Sequence, residues 1–333
     1  MHPLPILTEL RFPRVDPVLL DLPGPVDVRW YGVMYLVGFA AAYVALRHLA
    51  RQSELHLPAA SVGDLLGTLA LGVLVGGRLG YLLFYGLAEV RAEPLEAMRF
   101  WEGGMSFHGG LLGVVVAGAW YARRHHLAFT HLADALALAT PFGLFAVRVA
   151  NFVNGELYGR VASADVPWAV RFPTDPVALA QFGATGLPLR ERELRILAAF
   201  DSGAWEAIRP LVPLRHPSQL YEALGEGVLL ALLLWATLWT RRRRAAPDAA
   251  SERPDGTFAG LFLVGYGTIR SAVELFRQPD AQFRGADDPL GTVLGPLTMG
   301  QVLSSAMVVA GIVLLLYARI RSVPPEAPAS RTP

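Results

Sequence analysis

Residues 141–160 read PFGLFAVRVANFVNGELYGR, an apolar run interrupted by Arg148, Asn151, Asn154, Glu156 and Arg160. A second run, LLGTLALGVLVGGRLGYLLFYG over 65–86, is more uniformly apolar and still carries Arg78. Both have the length and composition of membrane spans. A charge at the centre of a bilayer costs about 2.5 kcal/mol or more. Arginines in such runs therefore imply an anion, a partner or a polar cavity.

The rest of the chain supports the membrane reading. Of 333 residues, 53% are hydrophobic and 17% charged, and the mean hydropathy is +0.39. An ordinary soluble domain is more polar. The formal net charge of +1 gives no electrostatic footprint for nucleic acid. Cysteine is absent, which removes disulfides, thiolate metal sites and a cysteine nucleophile from consideration. The N-terminal MHPLPILTELRFPRVDP lacks the basic-then-apolar order of a cleaved signal peptide.

Apolar windows predict seven spans, around 30–50, 62–87, 107–123, 129–153, 218–240, 257–276 and 297–319. The expected fold class is an all-α polytopic membrane protein of seven transmembrane helices. A small periplasmic domain is expected between spans four and five. The expected divisions are 1–159 (spans one to four), 160–216 (head domain), 217–321 (spans five to seven) and 322–333 (flexible cytoplasmic tail). A flexible loop is expected over 241–256. Arginines follow spans one (Arg47, Arg51), three (Arg123, Arg124), five (Arg241–Arg244) and seven (Arg319, Arg321). By the positive-inside rule those ends are cytoplasmic, with the N-terminus outside and the C-terminus inside.

That topology brings polar residues to one outer depth. Arg148 and Asn151 share a helical face near the end of span four. Asn154-Gly155 is a turn signal that ends the helix, leaving Glu156 just beyond it. His108 and Tyr31 stand at the outer starts of spans three and one, and Arg78 lies in the outer half of span two. Arg270, Glu274 and Arg277 form one stripe at the end of span six. Single-residue alternatives remain open. Tyr31 with Trp30 also suits an aromatic belt, Glu274 suits neutralisation of Arg270 or Arg277, Arg277 suits snorkelling, and Arg148 could pair with Glu156. Spans two and three carry small residues at four-residue spacing, Gly72, Gly76 and Gly80, then Gly109, Gly113 and Ala117, a pattern for close helix packing. No histidine spacing, phosphate loop or dinucleotide fingerprint appears, so neither metal nor cofactor is expected.

The blocks RVANFVNGELYGR (148–160), WEGGMSFHGGLLG (101–113), RHPSQLYEALGEG (215–227), VGYGTIRSAVELFRQPDAQF (264–283) and RWYGVMYLVGF (29–39) resemble those of the prolipoprotein diacylglyceryl transferases, in the same order. Val147 departs from the usual glycine before the arginine. The resemblance implies a multi-pass enzyme of the bacterial inner membrane, its site facing the periplasmic leaflet. It implies transfer of the diacylglyceryl group of phosphatidylglycerol to the lipobox cysteine of a prolipoprotein signal peptide, with glycerol 1-phosphate leaving. It also implies that Arg148 and Arg270 are essential, that His108 serves catalysis, and that Tyr31, Asn151, Glu156 and Gly159 belong to the same site.

The residues suit that chemistry. A guanidinium binds two phosphodiester oxygens at once, and it stabilises the charge that builds as the carbon–oxygen bond breaks. Without a cysteine of its own, the chain fits a direct displacement by the substrate thiol, with His108 or the arginine field activating it. Asn151 and Glu156 would orient Arg148 or the headgroup hydroxyls; Arg78 would bind lipid phosphate or brace span two. A secondary transporter of an anionic solute is the alternative, although no internal repeat supports it.

Overall fold

The computed structural model describes residues 9–22, 27–52, 57–98, 104–244, 256–279 and 290–321. The expected tail 322–333, and residues 245–255 of the expected loop, lie outside them.

Helices occupy all seven apolar windows. They are α1 (Trp30–Arg51), α2 (Val62–Phe84), α4 (Phe107–Arg124), α5 (Phe129–Val153), the continuous run α9 (Ser218–Glu222) to α10 (Leu230–Arg244), α11 (Thr257–Glu274) and α12 (Met299–Arg321). A short α3 (Leu87–Ala92) follows α2, and α6 (Pro176–Gln181), α7 (Leu189–Asp201) and α8 (Ala204–Ile208) lie between α5 and α9. Among the described residues, five helices are long and apolar enough to cross a membrane: α1, α2 with its preceding turn, α5, α9–α10 and α12. The other two, α4 and α11, have 18 residues each. Their polar ends, His108, Arg123 and Arg124 in one and Arg270 and Glu274 in the other, lower their apolarity. Leu36, Leu71, Leu83, Val309 and Ile320 stand out from these helices exposed, apolar surface that lipid would cover. This is a membrane protein.

Local sequence explains several helix ends. Ser106 caps α4, its Oγ accepting from Gly109 N at 3.2 Å. Helix α5 stops where Gly155 takes φ +65°, a backbone conformation that glycine adopts freely. Thr298 and Gln301 form a capping box at α12: Thr298 N donates to Gln301 Oε1 at 3.1 Å, and Gln301 N to Thr298 Oγ1 at 3.3 Å.

The chain divides into two compact units. One contains residues 1–40, 140–244 and 261–313; the other contains 41–139, 245–260 and 314–333. In the second unit, α2 and α4 pack along the small-residue ridges. A Cβ on Gly76 would lie 2.4 Å from Gly109 O, and one on Gly113 would lie 2.0 Å from Gly72 O, so this approach requires glycine. Asp134 is buried there and accepts from Gly256 N at 2.9 Å and Ala259 N at 2.7 Å, capping α11 from α5.

In the first unit, the segment 160–216 builds its own small core. Ala178, Trp205 and Val212 are buried, with Phe182, Phe200 and Ile208 packed on them. Asp175 caps α6 by accepting from Val177 N at 2.9 Å. Its other oxygen receives Arg215 Nε at 2.6 Å, a buried pair. Strands β1 (Val18–Leu20) and β2 (Val28–Arg29) form a small antiparallel ribbon, as do β3 (Thr292–Leu294) and β4 (Leu297–Thr298).

Candidate active site

Two of the expected site residues, Arg148 on α5 and Arg270 on α11, converge on one pair of carboxylates. Arg148 Nε lies 3.2 Å from Glu222 Oε2, and its Nη2 lies 3.6 Å from Glu226 Oε2. Arg270 Nη1 lies 3.5 Å from Glu222 Oε1, and its Nε lies 4.0 Å from Glu226 Oε1. Arg277 Nε also approaches Glu222 Oε1, at 3.8 Å. Glu274 completes the set, 2.6 Å from Arg270 Nη1; it also accepts from Thr298 Oγ1 at 3.1 Å. Three arginines thus meet three glutamates. The side chains of Glu222 and Glu226 have no exposed surface at all, so their burial requires this compensation. Tyr266 of α11 lies within hydrogen-bonding reach of Arg148.

The backbone carrying the two glutamates is unusual. Glu222 ends α9, and Glu226 lies in the π-helical turn Ala223–Leu229. Such turns are rare and concentrate at functional sites. A Cβ added to Gly227, next to Glu226, would lie 2.7 Å from Phe145 Cβ and 3.0 Å from Phe145 Cα, so this helix packs closely on α5.

Arg148 does not take Glu156 as its partner. Glu156 is exposed and accepts from Asn151 Nδ2 at 2.9 Å and Asn154 Nδ2 at 3.3 Å, while Asn151 is itself buried. The 154–157 turn is held from two sides. Thr174 Oγ1 donates to Gly155 O, Gln219 Nε2 to Glu156 O at 2.6 Å, and Ser218 Oγ to Leu157 O at 2.9 Å. Tyr31 reaches Tyr35, hydroxyl to hydroxyl, at 3.3 Å. Tyr31, Asn154, Glu156 and Arg277 all line one cleft of about 790 Å³, whose lining also includes Phe12, Ile196 and Phe200. Arg277 is thus an ion-paired wall residue.

Gly159 lies where three backbone segments meet. Its N donates to His216 O at 2.8 Å, and Arg160 N donates to Phe276 O at 2.8 Å. An added Cβ would fall 2.4 Å from Phe276 O and 2.7 Å from His216 O. The remaining expected residues belong to the second unit. His108 is exposed in the first turn of α4. Arg78 is buried, donates from Nη1 to Gly104 O at 3.2 Å and lies over the Tyr81 ring.

A model of the family described as prolipoprotein diacylglyceryl transferase matches residues 17–317. The chain belongs to that family. Relatives named phosphatidylglycerol–prolipoprotein diacylglyceryl transferase, from Yersinia enterocolitica, Yersinia pestis and Yersinia pseudotuberculosis, are each 44% identical to it over 313 residues. The matches cover 93% of this chain and 95% of each relative. In this diacylglyceryl transferase family member, the sequence reading missed Glu222, Glu226 and Tyr266. A signal for the glutamates was present. Two carboxylates four residues apart inside an apolar window need cations, and the unmatched arginines sit on other spans.

Proposed function

We propose that Arg148 and Arg270 hold the phosphodiester of phosphatidylglycerol while the enzyme transfers its diacylglyceryl group to the lipobox cysteine thiol of a prolipoprotein. The thiolate sulfur attacks the diacylglyceryl carbon, the carbon–sulfur bond forms, and the carbon–oxygen bond to phosphate breaks. Its electron pair leaves with glycerol 1-phosphate. The two guanidinium groups bind the departing phosphate more tightly as its charge grows, which lowers the barrier. His108 accepts the thiol proton. Tyr31, Asn151 and Glu156 order the headgroup side of the site, Gly159 supports it by close packing, and Arg78 holds lipid phosphate or braces α2.

The observation that carries this reading is the arginine pair, nearly buried on two apolar helices. It also accounts for an arginine in the apolar run 141–160, because buried glutamates of another helix compensate Arg148 and an anionic lipid meets it. The proposed setting is the bacterial inner membrane, with seven spans, segment 160–216 and the N-terminus in the periplasm, and the C-terminus in the cytoplasm. The divisions 1–159, 160–216, 217–321 and 322–333 follow from it. The arginine runs at alternate span ends support that orientation.

Incubating the purified protein with phosphatidylglycerol and a lipobox peptide tests the function. Mass spectrometry should find a diacylglyceryl thioether on the cysteine, and none on a peptide with serine there. Anion flux into sealed vesicles without peptide modification would favour a transporter instead.

A further inference from the structure

The ion cluster neutralises its arginines without using up their hydrogen-bonding capacity. Glu222 and Glu226 contact Arg148, Arg270 and Arg277 at 3.2 to 4.0 Å. Among the described residues, the four carboxylate oxygens meet the arginines at ion-pair distances and not as short, aligned bidentate bonds; the short contact is that of Glu274 with Arg270 Nη1, at 2.6 Å. A tight bidentate pair would have consumed the guanidinium fork. Here Glu222 and Glu226 compensate the charges without closing bidentate on either fork, and Glu274 approaches Arg270 through Nη1 alone.

This spacing is built into the fold. Glu222 ends α9 and Glu226 projects from the π-helical turn that follows, on a helix whose glycines pack directly against Phe145 of α5 and Ile269 of α11. Those are the helices that carry Arg148 and Arg270. The carboxylates are thereby held at ion-pair distance from both arginines.

We infer that Glu222 and Glu226 are positioning residues that set the net charge met by an anion between Arg148 and Arg270, and so keep the phosphate product from being retained. This rests on the phosphodiester site proposed above. With three arginines against three glutamates among the described residues, the cluster is balanced, and an incoming anion binds through directed hydrogen bonds instead of excess charge. Removing one carboxylate charge leaves a net cation. Every phosphate then binds more tightly, and the product, the more highly charged of the two, gains most.

The test uses the full-length protein with phosphatidylglycerol, a lipobox peptide and added glycerol 1-phosphate. Glu226→Gln and Glu222→Gln should each strengthen inhibition by glycerol 1-phosphate at least tenfold, since one unit charge within roughly 10 Å of an anion at an effective dielectric of ~20 changes binding by that factor or more. They should also lower KM for phosphatidylglycerol and lower kcat. Glu226→Asp, which keeps the charge, should restore inhibition to near wild type. A merely structural role predicts a higher KM and unchanged or weaker inhibition in both glutamine variants; that result overturns the proposal. If the glutamine variants melt too low to assay, Arg277→Gln reads the same charge with opposite sign. It should weaken inhibition about tenfold, and unchanged inhibition there also overturns the proposal. The two readings fail differently. A wild-type enzyme that transfers no diacylglyceryl group refutes the proposed function. Normal transfer with unaltered inhibition in the variants refutes only the inference.

Discussion

Replacing Gly159 with alanine separates a packing role from a substrate-binding one. The added Cβ would sit 2.4 Å from Phe276 O, 2.7 Å from His216 O and 2.8 Å from His216 Cβ. Neither oxygen can move without cost, because each accepts a backbone hydrogen bond of 2.8 Å from this segment. Overpacking costs about 1–3 kcal/mol, and loosening two hydrogen bonds adds about 1 kcal/mol each. The expected destabilisation is therefore about 3–5 kcal/mol, or a fall in Tm of roughly 4–7 °C. Thermal unfolding of the purified Gly159→Ala protein in detergent, run beside a transfer assay, measures both consequences. Activity should fall together with Tm and partly recover on cooling. An unchanged Tm with lost turnover would refute the packing argument and make Gly159 a substrate contact.

The other predictions concern charge and pH. Arg148→Lys and Arg270→Lys should each lose most of the turnover, since an ammonium offers no planar fork; wild-type kcat/KM in both would mean that charge alone suffices. His108→Gln should be severely slow near pH 7 and recover toward pH 9, where a thiol of pKa about 8.5 ionises unaided, whereas a constant deficit would reassign His108 to positioning. Burial lowers the pKa of His216, so the folded state favours the neutral ring. Stability from that group is complete above the ordinary value of about 6.5 and declines as pH falls below it, toward the folded value. Melting curves from about pH 8 to 5 should show this decline, and His216→Gln should flatten it.

The helices were legible because an apolar window needs no tertiary information, and all seven windows became helices. Their ends were legible where local chemistry sets them, as at Asn154-Gly155, and so was the glycine contact of α2 with α4. Partnership was harder to read. Within 148–160, Glu156 is the nearest carboxylate to Arg148 in sequence, yet folding gives it to Asn151 and Asn154 and turns it outward. The true partners, Glu222 and Glu226, lie more than seventy residues away in EALGEG (222–227), where two glycines make the stretch look like a helix margin. A π-helical turn leaves no periodic trace in so short a segment. Gly159 was likewise readable as a residue that matters, but not as one that matters through the carbonyls of Phe276 and His216.

The central claim is that Arg148 and Arg270, balanced by buried glutamates, hold the phosphodiester of the lipid substrate. An experimental structure of the protein with bound phosphatidylglycerol measures this directly. The account predicts the phosphate within hydrogen-bonding distance of both guanidinium groups, with Glu222 and Glu226 still behind them. A phosphate bound elsewhere, with both arginines still closed on their carboxylates, would contradict it.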